Sequence, residues 1–430
     1  MPAEVSFSFF ERKQSVANSF GGGLKFKRIK VLEWDRETLT SETITLSIAS
    51  SRPLAVREGD TVGRGGLVAP SFDGAAAVYS GIGGRIREIR DEAEGKTVLI
   101  ARDPAVPDAE NLPPAEGKLA DMTEASLRSL LLDRGITPPE AGEQALKHLI
   151  VDCTGDDPFN ESRSALCYEC AGDVVGGTKI LMKLLSVRQA VFAVSKDRLT
   201  IANEISAYIP AESKMLKTQI LRNRYPQALP RLLVSSLFNL EINSTLSVSK
   251  TGYGVVSPML CKAVFDALAK GIPYTDATVT LAEEPLTSDT LRVLTIPFGT
   301  ALSEILTLSG RTLQENERLT VGGGFRARPA ALSDPVTPET EAVSLLTVKS
   351  KKRLGVCIGC GRCGDACPMR LTPALLYEAA VLDRQMAAER LDIDACVGCG
   401  TCTAACPAGL PLAEAITAYR SEITGGSDEG

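Results

Sequence analysis

The pattern of hydrophobic and polar positions changes several times along the chain and predicts a multidomain protein of the α+β class. Between residues 29 and 103, short apolar runs such as "ETITLSIA", "GRIREI" and "KTVLIA" are separated by turn residues. This is typical of short β-strands in a barrel or sandwich. From 119 to 275, helical segments such as "MTEASLRSLLLDRGI" and "GGTKILMKLLSV" alternate with apolar runs such as "HLIVDC" and "QAVFAVS". That alternation predicts a Rossmann-like α/β domain.

Two further modules follow toward the C-terminus. In residues 279–348, "TLRVLTIPFGTALSEILTLSG" passes from strand to helix, and "RLTVGGGF" and "AVSLLTV" return to strands. This order predicts a small α+β module. Residues 354–422 contain most of the cysteines and the segment "TPALLYEAAVLDRQMAAERL", which predicts one helix in an α-helical domain.

The remaining segments connect or end these modules. Residues 1–28 form a polar arm that ends in "SFGGGLKFKR", where three glycines indicate a hinge or a turn. The proline-rich stretch "DPAVPDAENLPPAEG" is a linker between the first two modules. The basic run "KSKKR" at 349–353 is either a solvated hinge or a binding patch. "GGSDEG" is a short disordered tail.

The composition and net charge of the chain argue against several classes of function. The chain has 430 residues, a net charge of −6 and a pI near 5.3, so we expect no general affinity for nucleic acid. The N-terminus has no apolar run of the kind found in signal peptides, and we expect no membrane-spanning segment. A single histidine argues against histidine-based catalysis.

Eight of the twelve cysteines lie in two copies of the pattern C-x2-C-x2-C-x3-C-P. This is the spacing of two-cluster bacterial ferredoxins, in which the fourth cysteine of each copy ligates the cluster of the other copy. The sequence therefore predicts two [4Fe–4S] clusters. The first would be held by Cys357, Cys360, Cys363 and Cys406, and the second by Cys396, Cys399, Cys402 and Cys367.

Zinc sites and disulfides are the alternatives for these cysteines. Zinc sites use four ligands in paired C-x2-C knuckles, which fits two runs of four cysteines poorly. Iron–sulfur thiolates need a reducing compartment, so we expect a cytoplasmic protein without disulfides. Cys153, Cys167 and Cys170 leave open a third metal or redox site, whereas Cys261 lies on an apolar helical face and is expected to be buried.

The first module resembles a lipoyl-type barrel-sandwich domain. The resemblance rests on "PLAVREGDTVGRGGLVA" and "VYSGIGGRIREI", which correspond to its two halves. The "SGIGG" turn has no lysine to which a lipoyl or biotinyl group would be attached. We therefore expect this module to be structural or a docking surface.

Nearly the whole chain resembles the C subunit of Rnf-type electron-transport complexes and the related proline-reductase-associated electron-transfer proteins. The resemblance is carried by "AVREGDTVGRG", "RYPQALPRLL", "IPFGTALSEIL", "VGGGFRARPAALSDPVTPETEAVSLLTV" and the two cysteine motifs. It implies that residues 279–348 form an SLBB (soluble-ligand-binding β-grasp) domain and that residues 119–275 are related to the FMN- and NADH-binding subunit of complex I. It also implies redox partner subunits and a peripheral position on the cytoplasmic face of a membrane complex.

The chain departs from this family at the flavin loop. Members that bind FMN have the loop G-x-G-G-A-G-F-P-T, whose glycines let backbone N–H groups approach a phosphate. Here the corresponding segment reads "LLLDRGITPPEAGEQALKHLIV", in which Pro138 and Pro139 stiffen the turn and Glu140 and Glu143 would repel a phosphate. The next family element, a Cys/Glu-Glu-Pro segment near the flavin and nicotinamide, corresponds to "TGDDPFNESRS" here, in which Asp157-Pro158 is its relic. The sequence therefore argues against bound FMN.

These observations favour an electron-transfer subunit that relays single electrons between redox partner proteins. One alternative is an FMN-containing NAD(P)H dehydrogenase, which would require the altered loop to bind flavin. The other is an assembly protein in which the clusters only stabilise the structure. Whether the chain is an enzyme by itself is left open by the sequence, as are its electron donor and acceptor.

Overall fold

The computed structural model describes residues 22–25, 36–93, 95–115, 119–140, 145–240, 242, 248–347 and 355–424. Within these ranges the chain is a mixed α/β structure with several separate sheets. Of the predicted N-terminal arm, only residues 22–25 are included. The "KSKKR" run and the "GGSDEG" tail lie outside the described residues.

The N-terminal part consists of short strands, as the sequence predicts. The strands are β1 (Arg36–Thr38), β2 (Thr43–Ile48), β3 (Thr61–Val62), β4 (Leu67–Ala69), β5 (Val78–Tyr79), β6 (Gly84–Glu92) and β7 (Gly95–Arg102). β2, β7, β6 and β3 form an antiparallel sheet in that order, and β4 pairs with β5. The inward side chains of these two sheets, including Ile44, Val68 and Ile100, form a common core.

The central part is built on a parallel sheet with the strand order β10-β9-β8-β11. Its elements are α1 (Glu124–Asp133), β8 (His148–Cys153), α2 (Ser162–Glu169), α3 (Ala171–Leu184), β9 (Ala190–Ser195), α4 (Leu199–Ala207), β10 (Leu216–Leu221), α5 (Pro230–Phe238), β11 (Tyr253–Val256) and α6 (Pro258–Phe265). β8 and β9 are rich in apolar residues and almost fully buried, as expected for a parallel sheet that is covered on both faces. A large core lies on one face and a smaller core, against α5, lies on the other.

A six-stranded mixed sheet follows, in the order β1-β13-β12-β16-β14-β15. Its new elements are β12 (Asp276–Glu283), β13 (Leu291–Pro297), α7 (Leu302–Leu308), β14 (Glu317–Val321), β15 (Arg328–Pro329) and β16 (Ala342–Thr347). The helix α7 packs Leu302, Ile305 and Leu306 against this sheet. The edge strand β1 comes from the N-terminal part of the chain and pairs with β13 in parallel, a contact that the local pattern does not reveal.

The C-terminal part is helical. It contains α8 (Arg362–Ala366), α9 (Pro373–Val381), α10 (Gln385–Arg390), α11 (Thr401–Ala405) and α12 (Leu412–Thr424). The prediction of one helix over "TPALLYEAAVLDRQMAAERL" is wrong, because α9 and α10 are separate. Asp383 has a left-handed backbone (φ 50) between them, and its carboxylate accepts a hydrogen bond of 2.9 Å from the Tyr419 hydroxyl. Among the described residues, no helix has the length and apolar character needed to cross a membrane.

Candidate functional site

The two cysteine motifs have the same local backbone. In each copy a loop runs into a short helix, α8 or α11, whose N-cap is a glycine in the left-handed region. These glycines are Gly361, with φ 76, and Gly400, with φ 78. A residue with a Cβ is strained in this conformation, so the glycine between the second and third cysteines allows the sharp turn into the helix.

The first predicted set of cysteines lines one cavity. Its volume is about 280 Å³, and its walls include Cys357, Cys360, Cys363 and Cys406. Three of these residues come from the first motif, and Cys406 is the last cysteine of the second motif. Cys357 and Cys360 are exposed, and their neighbours Val356 and Ile358 are 85% and 70% exposed. This cavity therefore lies at the surface of the molecule.

The second predicted set lines a different and smaller cavity of about 20 Å³, whose walls include Cys367, Cys396, Cys399 and Cys402. Cys367, Cys399 and Cys402 are buried. Burial raises the pKa of the Cys402 thiol to about 12, and it also raises the pKa of Cys367. Metal binding requires thiolates, so a metal at this cavity must displace protons from the buried sulfurs.

The donor set fits two iron–sulfur clusters. Each cavity is lined by four cysteines, and in both cases three belong to one motif and one belongs to the other. All eight thiols are free of disulfides. In the described ranges, no three or more His, Cys, Asp or Glu side chains are grouped as ligands of a single metal ion.

A third and larger cavity, of about 480 Å³, lies where the parallel strands β8 and β11 end. This edge of an open α/β sheet is where such folds bind ligands. Its wall includes Asp156 and Asp157, which follow β8. Asp156 accepts a hydrogen bond of 2.8 Å from the backbone N–H of Ala228. Asp157 accepts one of 2.8 Å from the N–H of Phe159 and one of 3.0 Å from the N–H of Gly324.

The hydrogen bonds to Asp156 and Asp157 occupy backbone N–H groups that could otherwise bind the phosphate of a flavin. A phosphate is held by backbone N–H groups that face the ligand. Here the N–H groups of Ala228, Phe159 and Gly324 donate to carboxylates of the chain itself, so they are not open to a phosphate. Pro138, Pro139 and Glu140 lie in a stretch without helix or strand. Glu143 and the rest of 141–144 lie outside the described residues.

An ion-pair network crosses the same cavity. The guanidinium of Arg163 on α2 makes two hydrogen bonds of 2.8 Å to the carboxylate of Glu341 and also pairs with Asp152 at the end of β8. Burial opposes ionisation of Glu341, but Arg163 outweighs it, and the pKa of Glu341 is lowered from its ordinary value. Asn160 adds a hydrogen bond of 3.0 Å to Glu341. The network joins the parallel sheet to the six-stranded sheet.

Cys153, Cys167 and Cys170 are the candidates for a third metal or redox site. Cys153 and Cys167 are fully buried in the large core, where the two thiols interact. The Cys170 sulfur accepts a hydrogen bond of 3.6 Å from the guanidinium of Arg36. Cys261 is buried in the same core, as expected, with the Thr178 hydroxyl 3.5 Å from its sulfur. Among the described residues, Cys153, Cys167 and Cys170 do not form a group of three ligands that could hold a metal ion.

Sequence reasoning missed Tyr225 and the segment Gly22–Lys25. Tyr225 lies both in the wall of the large cavity and against the second motif, where its hydroxyl donates a hydrogen bond of 2.8 Å to the carbonyl oxygen of Cys399. Gly22 contacts the backbone of Cys367. In the sequence, only the run of three glycines points to a structural role for the segment Gly22–Lys25.

Two family models match the chain. Residues 356–410 match a 4Fe-4S dicluster domain, and residues 136–263 match the Nuo51 FMN-binding domain. A crystal structure of an NAD+-reducing [NiFe]-hydrogenase in the air-oxidized state is 16% identical, with a TM-score of 0.45. That alignment covers 73% of this chain and 65% of the hydrogenase chain.

The chain is also similar to curated proteins. One is the C subunit of the proton-translocating ferredoxin:NAD(+) oxidoreductase complex of Clostridium ljungdahlii, which is 25% identical over 347 residues, covering 75% of this chain and 74% of that protein. Another is the C subunit of the ion-translocating oxidoreductase complex of Rhodobacter capsulatus. It is 29% identical over 283 residues, covering 65% of this chain and 54% of the relative. The chain thus spans about half the length of the second relative.

Proposed function

We propose that the chain is an RnfC-like protein and works as an electron-transfer subunit of an oxidoreductase complex. The observation that carries the proposal is the division of eight cysteines between two cavities, with one ligand exchanged between the motifs. Its dicluster domain is the part that handles electrons. The other modules hold this domain in place and dock it to partner subunits.

We assign the ligands as follows. Cys357, Cys360, Cys363 and Cys406 hold the first [4Fe–4S] cluster, and Cys396, Cys399, Cys402 and Cys367 hold the second. The assignment is supported by the motif spacing and by the walls of the two cavities. When bound, a [4Fe–4S] cluster accepts and releases single electrons.

The protein supplies different surroundings to the two ligand sets. In the second set, Cys367, Cys399 and Cys402 are buried and Cys396 is half-buried. The exposed loop around Cys357 and Cys360 leaves the first set accessible from outside the molecule. An electron-transfer protein needs such an accessible centre for exchange with a partner, and solvent exposure is also one of the factors that set cluster potential.

The direct test is the metal content of the anaerobically purified protein. We expect about eight iron and eight sulfide per chain, the sum for two four-iron clusters. The ratio of iron to zinc should be measured in the same sample. About four iron per chain, or zinc in proportion to the cysteines, would contradict the assignment.

We also propose that the α/β domain does not hold FMN. The proposal is supported by the "RGITPPEAGEQ" segment and by the use of nearby N–H groups by Asp156 and Asp157. The match of residues 136–263 to an FMN-binding domain makes a flavoprotein dehydrogenase the second candidate. Denaturation of the purified protein should release no stoichiometric flavin. Release of one FMN per chain together with NADH–dye oxidoreductase activity would instead establish the second candidate.

We expect this chain to have partner subunits, because its relatives are named as subunits of ion-translocating complexes. We propose a peripheral position for this chain on the cytoplasmic face of such a complex. Purification from native cells under anaerobic conditions should recover a stable redox partner. A protein that runs as a monomer in that preparation and reduces a small substrate without a partner would contradict the subunit proposal.

A further inference from the structure

The glycine segment, residues Gly22–Lys25, lies directly against the first cysteine motif. The backbone N–H of Gly23 donates a hydrogen bond of 2.9 Å to the carbonyl oxygen of Ala366. A Cβ on Gly22 would lie 2.5 Å from the carbonyl oxygen of Cys367, and Gly22 itself has φ 72. Both the space and the backbone angle therefore require glycine at this position.

The same segment is paired with Tyr225. Leu24 and Tyr225 form an antiparallel bridge in which each N–H donates to the other residue's carbonyl oxygen at 2.9 Å. The two residues are far apart in sequence, so the bridge fixes the glycine segment to the central α/β part of the molecule. Gly22–Leu24 are half-buried in this position.

Tyr225 in turn contacts the second cysteine motif. Its hydroxyl donates to the carbonyl oxygen of Cys399 at 2.8 Å, in a buried hydrogen bond. Its ring packs against Phe325 with a centroid separation of 4.9 Å. A Cβ on Gly400 would lie 3.0 Å from the carbonyl oxygen of Phe325, so the backbone of the second motif lies close to the backbone of Phe325.

These contacts form a continuous path from Cys367 through the glycine segment and Tyr225 to Cys399. Both ends belong to the ligand set that we assign to the second cluster, although the two cysteines come from different motifs. The loop of the first set is in different surroundings. A Cβ on Gly359 or Gly361 would meet nothing within 4 Å in the described part of the chain.

We propose that the glycine segment and Tyr225 form a strap that positions the second cluster and tunes its potential. The inference rests on the proposed ligand sets. Tyr225 is a positioning residue in this account, because it acts through the Cys399 backbone and does not ligate the metal. Hydrogen bonding around the ligands and exclusion of water are two of the means by which a protein sets cluster potential.

The first test is Tyr225→Phe in the full-length holoprotein. The ring keeps its packing against Phe325, but the Cys399 carbonyl loses a donor that withdraws negative charge from the backbone beside the cluster. Because such a donor favours the more negative, reduced cluster, its loss should shift the midpoint potential of the second cluster to a lower value. The first cluster should keep its potential.

Tyr79→Phe is the matched control, because the buried Tyr79 hydroxyl also donates to a backbone carbonyl, that of Asp133, away from both motifs. Potentials are read by electron paramagnetic resonance during redox titration. The Cys357→Ser and Cys396→Ser proteins identify which signal belongs to which cluster. Equal potentials in Tyr225→Phe, Tyr79→Phe and the unmodified protein would overturn the role of Tyr225.

The second test is Gly22→Ala, which places a methyl group where the Cys367 carbonyl lies. We expect selective loss of the second cluster's signal and a decrease in iron content. Gly310→Ala is the control, because Gly310 has φ 71 and a Cβ there would meet nothing within 4 Å. It introduces the same backbone strain without the contact, and it should keep both clusters.

The outcomes separate this inference from the proposed function. If the unmodified protein contains two clusters and neither Tyr225→Phe nor Gly22→Ala affects the second cluster selectively, the strap is wrong while the electron-transfer function stands. If the unmodified protein lacks two four-iron clusters, the ligand assignment itself has failed. If the Gly22→Ala protein does not fold, the midpoint potential of the second cluster in the Tyr225→Phe protein tests the role of the strap.

Discussion

Cys367 and Cys406 are the two cysteines for which position in the sequence and predicted role differ most. Each closes its own motif but lines the cavity formed by the other three cysteines of the opposite motif. The short helices α8 and α11 account for this, because the fourth cysteine follows the helix and the first three precede it or lie within it. Cluster binding is therefore expected to join the two motifs.

Substitution of Cys367 tests this exchange. We expect Cys367→Ser to damage the second cluster, whose other ligands are in the second motif, and to leave the first cluster intact. Cys363→Ser, four residues away, should have the opposite effect because Cys363 belongs to the first set. Electron paramagnetic resonance of the reduced proteins distinguishes the two clusters. If both substitutions remove the same signal, the ligands are not exchanged between the motifs.

The ligands could be predicted from the sequence because their spacing is local and repeated. Tyr225 and Gly22 could not, because their importance comes from contacts with residues that are distant along the chain. Nothing in the "RYPQALPRLL" segment indicates that the Tyr225 hydroxyl reaches Cys399. The three glycines in "SFGGGLKFKR" indicate a turn, but the contact of Gly22 with Cys367 depends on the tertiary structure.

At the scale of elements, most helices and strands could be predicted because their apolar periodicity is strong. The strands "HLIVDC" and "QAVFAVS" were correctly predicted, as was the passage from strand to helix in "TLRVLTIPFGTALSEILTLSG". The break between α9 and α10 was not, because it is stabilised by a hydrogen bond from Tyr419 on α12. The pairing of β1 with β13 was also missed, since strand order depends on tertiary packing.

The contact between α2 and the start of β16 is predicted to matter for stability. Glu341→Gln removes the charge that pairs with Arg163 and should destabilise the fold by about 2 kcal/mol, the usual contribution of hydrogen bonds to charged groups. Glu339→Gln is the control, because Glu339 is exposed two residues away. The measurement is the urea midpoint of the anaerobic protein at neutral pH.

The same pair predicts a pH dependence. Because the pKa of folded Glu341 lies below its ordinary value of 4.5, its contribution is fully present above that value and is lost as the pH falls through the folded pKa. The difference in midpoint between the unmodified protein and Glu341→Gln should therefore shrink on acidification. A difference that is the same at neutral and acid pH, or that Glu339→Gln reproduces, would contradict a role for this ion pair.

At the scale of the whole molecule, the second motif lies where three parts of the chain meet. Cys399 and Val397 pack with Tyr225 and Leu229 of the central part and with Phe325 of the loop after β14. The loop of the first motif that carries Cys357 and Cys360 is exposed. This arrangement places one proposed cluster inside the molecule and the other where a partner subunit has access to it.

We propose that both clusters carry electrons and are not only structural. Coulometric titration of the anaerobic holoprotein, followed by electron paramagnetic resonance, tests it most directly. We predict reversible uptake of two electrons per chain, about one for each four-iron cluster, with both signals recovered after reoxidation and a second reduction. Uptake of one electron or none, or reduction that cannot be reversed, would contradict the account and favour clusters that serve as staples in an assembly protein.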